Sequence, residues 1–226
     1  MNIKICGVIT ARTPNELKNM LLKAERLKVD LAEIRIDYWK REMNSQGVRK
    51  LSALPLIATV RPIWEGGVFD RGEEERKFLL LSAADAGFDY VDIELRTEGL
   101  NKMVEEVRRA GSKPIVSSHN FNFTPDADEL YRIFLEELKV GAEICKIVTM
   151  AKSFRDNITC FKSLEKMTAT GRSICFCMGR YGTPSRILAP LFDSAFTYAS
   201  IQHGKESAPG QLTVEELRAA YRIMGV

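Results

Sequence analysis

Lys146 is the charged residue of an otherwise apolar run, Ile144-Cys145-Lys146-Ile147-Val148, and His119 closes a second run that begins Lys113-Pro114-Ile115-Val116. Both runs have the length and β-branched content of buried strands. Burial disfavours an ammonium, so a lysine in such a strand is expected to release its proton and present an amine that attacks carbonyls to form an imine. A histidine at a strand end is suited to carry a proton near neutral pH. Together they suit proton abstraction beside a ketone. Each also has a plainer explanation. The lysine could pair with a strand-end carboxylate or reach out to water, and a lone strand-end histidine is more often structural.

Other ionisable residues stand in patterned positions. In Glu33-Ile34-Arg35-Ile36-Asp37 the period of two puts the three charged residues on one face and the isoleucines on the other. Charges turned into a core must pair or bind something polar, so this stretch is either an ion-pair ladder or part of a site. Thr59–Gly67 adds Arg61 and Glu65 on a glycine-containing loop, where the plain reading is a surface ion pair, and Tyr90–Leu95 contributes Asp92 and Glu94. Arg186 follows Gly182-Thr183-Pro184-Ser185 and could clamp a carboxylate through two parallel hydrogen bonds. The stretch Gly204–Gln211, which includes Ser207, has the small and polar residues of a mobile lid. His203, at its start, reads as a solvated turn residue.

The elements that position these residues follow from periodicity. Short apolar runs occur at Ile3–Ile9, Leu31–Asp37, Leu56–Val60, Tyr90–Leu95, Lys113–His119, Glu143–Val148, Ser173–Met178 and Phe196–Ile201. Segments with helical spacing lie between them. The first opens with a capping box at Thr13 and Glu16, the last repeats the device at Thr213 and Glu216, and short helices are expected around Gln46–Ala53 and Pro184–Leu191. Strict alternation implies parallel strands with right-handed crossovers. Eight such units fit a closed (β/α)8 TIM barrel, whose active site lies at the C-terminal mouth of the strands. The first turn, Gly7–Arg12, has no G-x-G-x-x-G, so nucleotide binding is not supported.

Composition narrows the classes. A chain of 226 residues with 45% hydrophobic content is expected to form one domain around one core. Lys plus Arg total 33 against 30 Asp plus Glu, a net charge of +3 that argues against nucleic acid or an anionic membrane as partner. The five cysteines read as buried thiols in a reducing compartment, and without C-x-x-C or a second Cys/His pair no metal site is expected. No run has the length of a membrane span and the N-terminus lacks secretory-signal features, so the expected location is cytoplasmic.

In this order, the segments resemble the type I 3-dehydroquinate dehydratases of the shikimate pathway. The resemblance rests on E-x-R-x-D at Glu33–Asp37, T-x-R-P-x-x-E-G-G at Thr59–Gly67, V-D-I-E at Val91–Glu94 and Ser118-His119-Asn120-Phe121. It continues through Lys146-Ile147, Met178-Gly179, Ser185-Arg186 and S-A-P-G-Q at Ser207–Gln211. Ile34 and Val148 depart from the pattern, since the family often has an aromatic at the first position and a small residue at the second. The resemblance implies an imine between Lys146 and the C3 ketone of 3-dehydroquinate. It makes His119 the general base and then the general acid, with Glu65 orienting it. Arg186, Ser207 and Gln211 would hold the carboxylate end, and Glu33, Arg35 and Arg61 the ring hydroxyls. It further implies a homodimer, aromatic amino acid biosynthesis, and neither metal nor organic cofactor. A Schiff-base aldolase on the same barrel is the rival reading.

Overall fold

Runs rich in branched apolar residues, each bounded by turns, become the strands of one parallel sheet. The computed structural model describes residues 3–40 and 43–226. Among them are eight strands: β1 (Ile5–Ile9), β2 (Leu31–Arg35), β3 (Leu56–Thr59), β4 (Tyr90–Glu94), β5 (Lys113–Asn120), β6 (Ile144–Met150), β7 (Ser173–Met178) and β8 (Thr197–Ser200). Around them lie α1 (Pro14–Arg26), α2 (Glu73–Asp85), α3 (Leu100–Arg109), α4 (Ala127–Lys139), α5 (Arg155–Thr168), α6 (Thr183–Leu188) and α7 (Val214–Met224). The fold is a (β/α)8 TIM barrel, as the alternation of runs predicts.

Ladders join each strand to the next from β1 to β7, and β1 pairs with β8 on its other side. Among the described residues β7 and β8 share no ladder. The amide of Ala195 donates to the carbonyl of Ser173 across this seam at 2.9 Å, and the hydroxyl of Thr197 donates to the carbonyl of Arg186 at 2.7 Å. Tyr198 packs against Phe196 and Phe176 here, with ring centroids 5.3 and 6.2 Å apart, and fills the interior beside the gap.

The period of two sorts side chains into two layers. Cys6, Val8, Leu31, Ile57, Ile115 and Ile174 fill the barrel, whereas Ile9, Ile34, Ala58, Ile93 and Val116 face the helices. Burial of each large apolar side chain contributes about 1.5–3 kcal/mol.

Three local expectations need correction. The run at Leu31–Asp37 stops being a strand at Arg35, and Ile36–Tyr38 form a 3-10 turn that brings Asp37 back onto Arg35. The segment Gln46–Ala53 holds only a 3-10 turn, Val48–Leu51. Gly47 in the left-handed region and Pro55 leave too few residues between them to repay helix nucleation. At α1, Thr13 accepts the amide of Glu16, but the Glu16 carboxylate accepts from Arg12 and the ammonium of Lys205 instead of closing the box. The box at Thr213 and Glu216 is complete.

Helix α4 turns one carboxyl into the layer behind β5 and β6. Glu137 is fully buried, and its oxygens approach the Ser118 hydroxyl and the Lys146 backbone without completing a hydrogen bond. Burial pushes the carboxyl well above the usual range. Between the ordinary glutamate value and this raised one, the folded chain holds a proton that the unfolded chain has released. Stability is therefore lost as pH rises through that interval. Glu137→Met is expected to gain stability over wild type by about 1.4 kcal/mol per pH unit within it. Urea midpoints at pH 5 and pH 8 check this; a gain that does not grow with pH contradicts it.

Candidate active site

Alternation on β6 turns Lys146 inward, and the register sets it beside Ser117 on β5. The expectation of an apolar setting for its amine does not hold. Nζ donates to Asp92 Oδ2 at 2.7 Å, lies 3.6 Å from Glu33 Oε1, and stands 4.3 Å over the ring of Tyr198. An apolar strand sequence conceals this because the carboxylates come from β2 and β4, far away along the chain.

Asp92 is the hub. Its Oδ1 accepts from Arg61 Nη2 at 2.8 Å and from the Ser117 hydroxyl at 2.6 Å. Burial opposes its ionisation, but Arg61 and Lys146 outweigh that and hold the carboxyl well below the usual range. Arg61 also donates to Glu94 at 2.6 Å, and Thr59 donates to Glu33 at 2.9 Å. Arg35 grips Asp37 through two bonds of 2.8 and 2.7 Å. The charged face of β2 is thus divided: Arg35 and Asp37 pair with each other, while Glu33 turns to Thr59 and Lys146.

The surface pair considered for Arg61 and Glu65 is not formed, and both residues are buried. Glu65 Oε2 instead meets His119 Nδ1 at 2.8 Å. The loop after Glu65 can fold back this closely because two glycines lack a β-carbon: one on Gly67 would collide with the Arg61 carbonyl, and one on Gly66 would strike the ring of Phe121. That ring lies against His119, with centroids 6.1 Å apart and planes 18° from parallel, and Asn120 accepts the amides of Asn122 and Phe123 to shape the turn. Burial, then the positive charges of Arg61 and Lys146, keep the His119 imidazole well below the usual histidine range. Burial pushes Glu65 up to about 7. A neutral imidazole with its Nδ1–H on Glu65 leaves Nε2 to accept a proton.

Arg186 is the cation without an acid. It is buried, stacks 4.6 Å from Phe176, donates weakly to the Pro209 carbonyl at 3.3 Å, and leaves Nε without a partner. Among the described residues no carboxylate pairs with it, and burial lowers the guanidinium to about 10. The loop from β8 lies across it. The Gly179 amide donates to Pro209, and Gln211 Oε1 accepts from the Ser207 amide and hydroxyl at 2.7 and 3.2 Å.

One cavity is lined by Glu33, Arg35, Arg61, Glu65, His119, Lys146, Arg186, Ser207 and Gln211. Every site residue expected from sequence thus faces the same space. Tyr198 also lines it, and Asp92 and Ser117 sit directly behind. Asp92 is among the charges that the sequence of Tyr90–Leu95 offers, whereas Ser117 is signalled there only by its two-residue spacing from His119. Nothing local marked Tyr198. His203 is exposed at the start of the loop that follows β8. All five cysteines are buried and free, and no cluster of metal-ligating side chains occurs among the described residues.

Fold and cavity together define a TIM barrel in which a buried cation without a carboxylate partner, an amine and an imidazole open onto one space. A family model described as Type I 3-dehydroquinase matches residues 5–226, and the chain belongs to that family. The 3-dehydroquinate dehydratase of Dehalococcoides mccartyi is 38% identical over 228 residues, covering 98% of this chain and 96% of that protein. The chloroplastic bifunctional 3-dehydroquinate dehydratase/shikimate dehydrogenase of Arabidopsis thaliana is 35% identical over 224 residues, covering 97% of this chain; the chain spans 37% of its length. The crystal structure of 3-dehydroquinate dehydratase from Geobacillus kaustophilus superposes with a TM-score of 0.92 at 25% identity, covering all of this chain and 92% of the other.

Proposed function

We propose that this chain dehydrates 3-dehydroquinate to 3-dehydroshikimate through an imine on Lys146. The observation that carries the reading is the opening of Lys146 and His119 onto one cavity that Arg186, a buried cation without a carboxylate partner among the described residues, also lines. The substrate carboxylate pairs with Arg186, assisted by Ser207 and Gln211, and this places the C3 ketone at Nζ. Nζ adds to C3 and water leaves, forming an iminium. The iminium retains the positive charge of the lysine, so Asp92 and Glu33 stabilise it as they stabilise the ammonium.

The iminium draws electrons from C2, and His119 Nε2 removes the C2 proton. The enamine pair then expels the C1 hydroxyl, to which His119 returns the proton, so that water departs from the same face on which the base acted. One group can do both because a neutral imidazole becomes the acid once it has served as base. Water hydrolyses the product imine and restores Lys146. Glu65 holds the imidazole, and Glu33, Arg35 and Arg61 meet the ring hydroxyls. The electron sink is supplied by the protein's own amine, so the scheme includes no cofactor.

Borohydride added with 3-dehydroquinate should fix the ligand on Lys146. A mass spectrum with no adduct, or with one on another lysine, overturns the reading. Arg186→Ala should raise KM at least roughly thirtyfold, from the loss of about 2 kcal/mol or more for a buried charge pair. An unchanged KM in steady-state assays rejects the carboxylate clamp. A homodimer in the cytoplasm remains part of this reading; no described helix is long and apolar enough to cross a membrane.

A further inference from the structure

Arg76 sits on α2, outside the barrel wall, yet its side chain is 1% exposed and is one of the two bulkiest fully buried side chains among the described residues. It does not line the cavity. Its guanidinium takes Glu73 through bonds of 2.8 and 2.6 Å, donates to Thr97 at 2.8 Å, and makes an ion pair with Glu94. From there the charges alternate without a break. Glu94 pairs with Arg61, Arg61 with Asp92, and Asp92 with Lys146. An ion-pair chain thus runs from the helix layer through the sheet to the amine.

We propose that Arg76 is a positioning residue for chemistry at Lys146, acting through Glu94, Arg61 and Asp92 to set the net charge that the amine experiences. The inference rests on the imine reading. Each cation in the chain is shared between acids. With Arg76 present, Glu94 is balanced from the outside, and Arg61 remains available to neutralise Asp92. Without it, Arg61 must serve both acids, Asp92 is left with more uncompensated charge, and that charge falls on Nζ. The groups facing Nζ are Asp92 from β4, Glu33 from β2 and the Tyr198 ring from β8. The charge of Lys146 is also felt by His119 on β5 and Cys6 on β1. Added negative charge in such a group favours the ammonium, which cannot attack a ketone.

The test measures borohydride trapping of 3-dehydroquinate at Lys146 across pH, with kcat, KM and a urea midpoint for each protein. Arg76→Met should move the trapping midpoint up by about one pH unit. It should lower kcat at neutral pH roughly tenfold, with a smaller change in KM, in the range of mutations that act without ligand contact. Arg76→Lys should restore most of the shift. Should Arg76→Met fail to fold, Glu73→Gln carries the test with opposite sign. It removes an acid from the partly exposed end of the chain, so the midpoint should move down. Wild-type protein that gives no adduct overturns the imine reading itself. Wild-type protein that is trapped, with midpoints unmoved in the variants, overturns the role of Arg76 alone.

Discussion

Lys146→Ala is expected to lose the borohydride adduct completely and to lower turnover by about 10⁴-fold or more, a large part of the ~10⁶-fold or greater acceleration typical of enzymes. Without the amine, the pair released at C2 must be stored on a ketone oxygen. Arg61 is committed to Asp92 and Glu94, so its charge is not free to stabilise that oxyanion. The fold should survive. Stripping a buried ion of its sole partner costs about 3–5 kcal/mol, but Asp92 would keep Arg61 and the Ser117 hydroxyl. Absorbance of the conjugated product measures the rate, and a urea midpoint measures the fold. Appreciable turnover in folded Lys146→Ala would refute the imine.

His119→Ala should separate the two halves of the reaction. Imine formation uses Nζ and remains, so 3-dehydroquinate should still be trapped at Lys146. Proton removal and return are lost, and kcat should fall by about 10²–10⁴, the usual worth of a positioned acid–base group. Substrate should then accumulate on the enzyme, visible as an adduct by mass spectrometry even before reduction. Glu65 favours the Nδ1–H tautomer, and the cations beside the ring disfavour a second proton. In wild type the imidazole is therefore ready as a base below the pH at which a free histidine would be. Full activity in His119→Ala would show that another group moves the proton.

Much of this arrangement can be read along the chain. Apolar runs separated by turns specify parallel strands, and strand ends specify the mouth, so Lys146, His119, Glu65 and Arg186 can be gathered from the sequence alone. Partnerships were harder, because they join residues that only folding brings together. Lys146 looks isolated in β6, yet Asp92 from β4 holds it. Arg76 lies in Glu73-Glu74-Glu75-Arg76-Lys77, a stretch indistinguishable from a solvated helix face, and only the approach of Glu94 makes inward burial favourable. Arg61 and Glu65 are four residues apart and of opposite sign, which invites pairing. The glycine-folded loop sends them to different partners instead. At Gln46–Ala53 helical spacing was present, but Gly47 and Pro55 bounded it too closely.

The seam between β7 and β8 bears on the ligand as well as on the sheet. Arg186 follows β7, and Ser207 with Gln211 follow β8, so a carboxylate held by all three would span the place where the ladder is missing. In the proposed binding mode the substrate works as a staple, supplying cross-links between two strands that the backbone leaves nearly unjoined. Occupancy would therefore slow the breathing of this one edge more than that of any other strand pair, and the enzyme would be most tightly closed while it holds the molecule it transforms.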